Sequence, residues 1–309
     1  MALLAPRCIP ILTLLLLLDL FAAAKAATVQ HPRSKGCTVS HDWKGQTREF
    51  SFQSSGGMRS YRIHLPSSYA VNKALPLLVA YHGSGNNPAK FEVETRFSDE
   101  GINPHVITLY PAGGNWQGPT YAEPGVSDLV FTTDLVNRIK DNYCVDQSRV
   151  YATGHSNGAG FTGTLACSPE HARQFAAFAP VSGAFYTDVN GDQNCLPPRS
   201  PLPMFEAHGT ADPIIPYAGG KGRGGPLPSI PDWLSRWARR NQCTTSSTKL
   251  LSNAVHDTEW KCAGVDGLLR HIKIDGHNHS WPGKNSEIDI SPVVIGFLSQ
   301  FHTPWTLVV

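Results

Sequence analysis

The segment VYATGHSNGAGF, residues 150–161, restricts the fold more than any other stretch of the sequence. An apolar run enters Gly154-His155-Ser156-Asn157-Gly158, and small residues then continue as a helix over 157–167. A serine framed in this way sits on a sharp strand-to-helix turn, because the flanking glycines let the backbone bend without a Cβ clash. Further β-rich runs surround it. YRIHL (61–65) alternates, whereas LPLLVAYHG (75–83), HVITLYPA (105–112), RVYATGHS (149–156), FAAFAPVSG (175–183), PMFEAHG (203–209) and LLRHIKI (268–274) are mostly continuous apolar runs. Continuous runs fit strands covered on both faces, as in a parallel sheet.

Helical patterns lie between the strands. Residues 128–142 place Leu129, Leu135, Val136 and Ile139 near one face, with Asp128 expected as the N-cap. PDWLSRWARRN (231–241) starts on a proline and spaces Trp233 and Trp237 four apart, and SPVVIGFLSQF (291–301) reads as a final helix. Strands alternating with helices give an α/β class, with a mostly parallel central sheet and helices on both faces. There is no internal repeat and no linker, so residues 27–309 read as one domain without a carbohydrate-binding module. GGKGRGGPLP (219–228) lacks the order of a phosphate-binding loop and reads as a flexible surface loop.

The first 26 residues carry Arg7, a leucine-rich core and small residues before Ala26, the pattern of a secretory signal peptide. Cleavage is expected after Ala26, with Ala24 the alternative. The apolar core is interrupted by Asp19 and is too short for a spanning helix, which needs roughly 20 apolar residues. The formal charge of +2 gives no electrostatic case for nucleic acid or an anionic membrane. Of seven cysteines, Cys8 leaves with the leader, and an even set remains. In a secreted chain these read as disulfides. Nearness along the chain suggests Cys37–Cys144, Cys167–Cys195 and Cys243–Cys262.

The elbow at Ser156 presents an oxygen nucleophile. Acyl transfer from such a serine also needs two N–H groups aimed at the developing oxyanion. Asn157, next in sequence, supplies one. His82-Gly83-Ser84-Gly85, after an apolar run, supplies the other from Ser84, with Gly83 the second choice. In α/β-hydrolases the order along the chain is Ser, then Asp or Glu, then His. Asp212, on the loop after HGTA, is the expected acid. Asp188 and Asp192 faintly echo a calcium loop but lack its glycine and closing glutamate, and read as a solvated turn. His155 is expected to pack or face the substrate. GHNHSWPG (276–283) is the place for the base, and offers both His277 and His279. Two histidines at i, i+2 without further ligands do not make a zinc site.

YHGSGNN, YPAGGNWQG, GVSDLVFTTDLV, RVYATGHSNGAGF, HGTADPIIPY and the H-S-W-P-G ending resemble the secreted feruloyl esterases. They are similar also to the polyhydroxybutyrate-depolymerase-like carbohydrate esterases. The resemblance runs from about residue 37 to the final helix. It implies an α/β-hydrolase fold, a triad of Ser156, Asp212 and His279, and His277 as a loop residue off the motif. It implies feruloyl or related hydroxycinnamoyl esters of arabinose or galactose in cell-wall polysaccharides as substrates. The residue roles need no cofactor or metal, the leader makes the chain extracellular, and a monomer is expected. Trp116, Tyr121 and Trp281, with Phe185 or Tyr186, are candidates to stack on a cinnamoyl ring. Alternatives are an acetyl-xylan esterase or polyester depolymerase on the same triad, a secreted peptidase, or a non-catalytic carbohydrate-binding protein on the same scaffold. Asn278 opens an Asn-His-Ser sequon beside His279. A glycan there would crowd the base, so Asn278 is expected to be bare in secreted material. Intact mass showing full occupancy together with full activity would contradict the role given to His279.

Overall fold

The computed structural model describes residues 32–189 and 191–303, with the backbone alone at 191 and 192. The expected leader and the side chain of Asp192 lie outside the described residues. Twelve strands and five α-helices follow in the order β1 (Gln46–Ser54), β2 (Gly57–Leu65), β3 (Leu75–Tyr81), α1 (Pro88–Thr95), β4 (Ile107–Pro111), α2 (Asp128–Asn142), β5 (Val145–His155), α3 (Asn157–Ala166), β6 (Ala177–Val181), β7 (Met204–Gly209), β8 (Gly220–Gly222), β9 (Gly225–Leu227), α4 (Ile230–Arg240), β10 (Cys243–Ser252), β11 (Val255–Cys262), β12 (Val265–Ile274) and α5 (Ile290–Leu298). Ten strands form one sheet in the order β1-β2-β4-β3-β5-β6-β7-β12-β11-β10. The middle six, from β4 to β12, are parallel. The outer pairs join antiparallel.

Side chains of the buried strands alternate between two apolar layers. Leu77, Val79 and Tyr81 meet Phe131 and Leu135 of α2, Phe161 of α3 and Trp233 and Trp237 of α4. Leu78 and Ala80 meet Phe91 of α1 and Val294 and Phe297 of α5 on the other face. The expected α/β arrangement with both faces covered is the one observed. Among the described residues no helix is long and apolar enough to cross a membrane.

Four details differ from the sequence reading. Ser127, not Asp128, caps α2, its Oγ accepting from the Val130 amide at 3.2 Å. Asp128 turns inward to Arg59 at 2.8 Å, and Phe131 rather than Leu129 carries the buried face. Asp188 is not in a solvated turn: it is buried and takes Arg240 on both oxygens, at 2.7 and 2.8 Å. Unpaired, that carboxylate could not have been buried. GGKGRGGPLP is an ordered hairpin, β8–β9, rather than a flexible loop. Its tip, Gly224, lies so close to Pro119 that a Cβ there would stand 2.2 Å from the proline Cβ.

Cys37 bonds Cys144, Cys167 bonds Cys195, and Cys243 bonds Cys262, the pairing that nearness along the chain suggests. The last staples the start of β10 to the end of β11.

Helix α3 presses directly onto β3. A Cβ on Gly158 would stand 2.2 Å from the Tyr81 carbonyl oxygen, a backbone atom that cannot swing away. Gly158→Ala is therefore expected to lower stability by about 3 kcal/mol, the upper end of ordinary overpacking, in urea unfolding. An unchanged midpoint would contradict this packing.

Candidate active site

Four loops leave the carboxyl ends of β3, β5, β7 and β12 on the same edge of the parallel sheet, where ligands bind in open α/β folds. Ser156 stands at the end of β5 with φ 55° and ψ −119°. Its amide donates to the Val181 carbonyl at 3.1 Å, and its carbonyl accepts from Gly160 at 2.9 Å and Ala184 at 3.1 Å. Gly154 permits the same close approach as Gly158, since a Cβ on it would stand 2.5 Å from the Gly158 carbonyl carbon.

The structure brings Ser156, His279 and Asp212 together although 123 and 67 residues separate them along the chain. His279 Nε2 lies 2.7 Å from Ser156 Oγ, and its Nδ1 lies 2.6 Å from Asp212 Oδ2. A proton on Nδ1 faces the carboxylate and leaves the Nε2 lone pair toward the hydroxyl, the orientation a general base requires. Asp212 Oδ1 accepts from the Ile214 and Ile215 amides, both at 2.8 Å. Burial by itself would raise the Asp212 pKa. Hydrogen bonds from His208, His279 and the Ile215 amide reverse this and hold it well below the usual carboxylate range.

The β7 and β12 loops are laced to each other. The Ala211 amide donates to the His277 carbonyl at 3.1 Å, and the Gly276 amide to Thr210 Oγ1 at 3.0 Å. A Cβ on Gly209 would stand 2.2 Å from that His277 carbonyl. The His277 ring points elsewhere, with Nδ1 2.7 Å from Glu287 Oε2 and Nε2 3.1 Å from the Ser280 carbonyl. Its backbone shapes the site and its imidazole takes no part. Asn278 is exposed, and its Oδ1 accepts from the Ser280 amide. His155 Nε2 donates to the His279 carbonyl at 2.9 Å. Burial and the neighbouring His279 bring its pKa down to about 3, so it stays neutral.

A cavity of about 350 Å³ opens on Ser156 and His279, lined also by Gly83, Ser84, His155 and Trp281. Ser84 Oγ donates to Asn115 Oδ1. Asn157 turns its side chain inward to the Trp116 carbonyl at 3.3 Å, leaving its main chain at the first turn of α3. Two stacking candidates are misplaced for contact with a ligand. Trp116 is fully buried, stacked on Phe161 and hydrogen-bonded to the His82 carbonyl. Phe185 is stacked on Trp233 in the core at 3.9 Å. Trp281 walls the cavity with one edge while packing edge-on to Phe91 and Phe97. Tyr121 and Tyr186 are half-buried beside the β8–β9 hairpin, with Arg223 over the Tyr121 ring.

Sequence reasoning missed two buried residues, His208, 3.5 Å from Asp212, and Glu206, on the far side of His208. The signal was present: in the run PMFEAHG, two ionisable residues sit two apart, on one face of a strand otherwise apolar.

Because the folded Asp212 carboxylate titrates below its unfolded counterpart, its contribution to stability is complete above about pH 3.9 and is lost as the pH falls further. Asp212→Asn is thus expected to be less stable than the parent at neutral pH, with the gap closing toward pH 2. Urea unfolding at several pH values reads it, and a gap independent of pH would contradict the assignment.

The family described as Putative esterase matches residues 53–261. The bifunctional acetylxylan esterase/xylanase XynS20E of Neocallimastix patriciarum is 28% identical over 253 residues, 82% of this chain and 34% of that protein. Feruloyl esterase B of Piromyces equi is 28% identical over 198 residues, 60% of this chain and 36% of that protein. The chain thus spans about a third of the length of these two curated relatives. The solved acetyl xylan esterase from Aspergillus awamori shares the fold, with a TM-score of 0.60 at 16% identity over 82% of this chain and 99% of that one. The architecture is the α/β-hydrolase fold. With well over half of its length matched, the chain belongs to the Putative esterase family.

Proposed function

We propose that this chain is a secreted serine esterase that hydrolyses feruloyl and related hydroxycinnamoyl esters on plant cell-wall polysaccharides such as arabinoxylan and pectin. The observation that carries the reading is the hydrogen-bonded series Ser156–His279–Asp212 opening on a cavity. His279 takes the Ser156 proton as Oγ attacks the ester carbonyl. The Asn157 and Ser84 amides hold the oxyanion, with the positive end of α3 behind them. His279 returns the proton to the departing alcohol, and a water, activated in the same way, releases the acid. Asp212 stays ionised throughout and steadies the imidazolium.

The substrate class is supported by the names of the relatives, several of which are feruloyl esterases. Tyr121, Tyr186 and Trp281, which lines the cavity, are the rings we assign to the hydroxycinnamoyl group. Three disulfides and the leader-like start support export.

Ser156→Ala is expected to lower kcat on methyl ferulate by roughly a millionfold. The parent should turn over methyl ferulate faster than acetylated xylan or hydroxybutyrate oligomers. Retained activity in the variant would sink the mechanism, and preference for acetylated xylan would sink the substrate assignment while leaving the mechanism in place.

A further inference from the structure

Behind Asp212 lies a set of ionisable side chains that the acyl-transfer steps do not use. Glu206 and His208 stand two apart on β7, and His271 on β12 is the cross-strand neighbour of Glu206. All three are buried. His208 Nδ1 lies 3.0 Å from Glu206 Oε1, while its Nε2 lies 2.8 Å from the Ile215 carbonyl oxygen and 3.5 Å from Asp212 Oδ2. Both ring nitrogens therefore face oxygens. A neutral imidazole has one donor and one acceptor nitrogen, so with Glu206 ionised both nitrogens must carry protons.

Glu206 meets a histidine on each side, although its Oε2 accepts no hydrogen bond and has His271 only at ion-pair distance. His271 Nδ1 lies 2.8 Å from Oε2 and donates to the Glu206 main-chain carbonyl at 3.2 Å, while its Nε2 meets the Tyr217 hydroxyl at 3.0 Å. Burial would disfavour charge on both Glu206 and His208. Against it, His208 and His271 together lower the Glu206 pKa, and the two flanking carboxylates raise that of His208 to about 9.

We propose that His208 is a buried imidazolium that positions the Asp212 carboxylate and balances its charge while Asp212 orients His279. The proposal rests on the reading of Ser156, His279 and Asp212 as a hydrolytic relay. Oδ1 of Asp212 is fixed by two amides, and Oδ2 is shared between His279 and His208. Among the described residues, Glu94 of α1 lines the cavity beside Ser156 and His279, and the Tyr217 ring packs edge-on against His208. His279 faces Asp212 and the neutral His155. Asp212 faces His279 and His208. His208 faces Glu206 and Asp212, and Glu206 faces His271, which ends on Tyr217. Without the His208 cation, two carboxylates would stand behind His279 with only the Ile214 and Ile215 amides and the His271 contact to offset them. Protonated His279 would then be favoured, and the base would be lost at higher pH. His208 touches no substrate and is a positioning residue.

The test uses the full chain and a soluble hydroxycinnamoyl ester, with kcat and KM followed across pH for the parent, His208→Gln and the double variant Glu206→Gln/His208→Gln. His208→Gln is expected to lower kcat by about tenfold through a displaced carboxylate, with KM little changed. The acid limb of its kcat/KM profile should move to higher pH. The double variant removes one charge of each sign, so its limb should move back toward that of the parent. A limb unmoved in His208→Gln overturns the proposal whatever happens to kcat, because loosened packing slows turnover without shifting a titration. Should that variant not fold, nitrogen-15 spectra of histidine-labelled parent protein decide the matter. His208 is expected to show protons on both ring nitrogens at neutral pH, and a singly protonated ring overturns the proposal. Inactivity of the parent on every ester would sink the relay reading instead, and the spectra would still report on His208 separately.

Discussion

Ser156 occupies a backbone conformation that a residue with a side chain adopts at a cost of about 1–3 kcal/mol. It persists because its surroundings leave no alternative. Its amide is tied to β6, its carbonyl to two amides beyond, and the helix that follows is pressed onto β3 by Gly158. That one turn lifts Oγ above the carboxyl edge of the sheet. The remaining parts of the site are what the parallel strands deliver to the same edge: Gly83 and Ser84 after β3, Asp212 after β7, and His279 after β12.

The sheet sets positions to within a few ångströms, and the hydrogen bonds between loops set the rest. The His277 carbonyl receives the Ala211 amide, so the loop carrying Asp212 is braced by the loop carrying His279. His155, beside Ser156, holds the His279 carbonyl. Each element of the relay is thus supported by a neighbour of another element. A polar series then runs inward from Ser156 through His279, Asp212, His208 and Glu206 to His271 and Tyr217. In a low-dielectric interior such a series is stable only when every donor meets an acceptor, which makes its protonation states part of the fold.

The fold class, the six central strands and four of the five α-helices were legible because buried strands and amphipathic helices leave apolar signatures. Strands β1, β10 and β11 were not, since they are half exposed or lie at the sheet edge. CTTSSTKLLS, exposed along nearly its whole length, has no buried face to write into the sequence. The short helix α1 was hidden for a similar reason. Ser156, Asp212 and the pair His277/His279 could be picked out by motif and order. Choosing His279 took a family resemblance, because nothing in GHNHSWPG alone says which imidazole turns toward the serine. Trp116 and Phe185 were misread since an aromatic ring looks alike in sequence whether it packs or binds. Asp188 was misread because its partners, Arg236 and Arg240, are some fifty residues away.

The central claim is that Ser156 is activated by His279 in the folded chain. A fluorophosphonate probe reacts with an activated serine and spares an ordinary one, so mass mapping of the labelled protein reads the claim without any knowledge of the natural substrate. The account predicts one adduct per chain, on Ser156, formed quickly by the native protein and very slowly by His279→Ala. No adduct, or labelling of Ser156 at the same rate in His279→Ala, would contradict it.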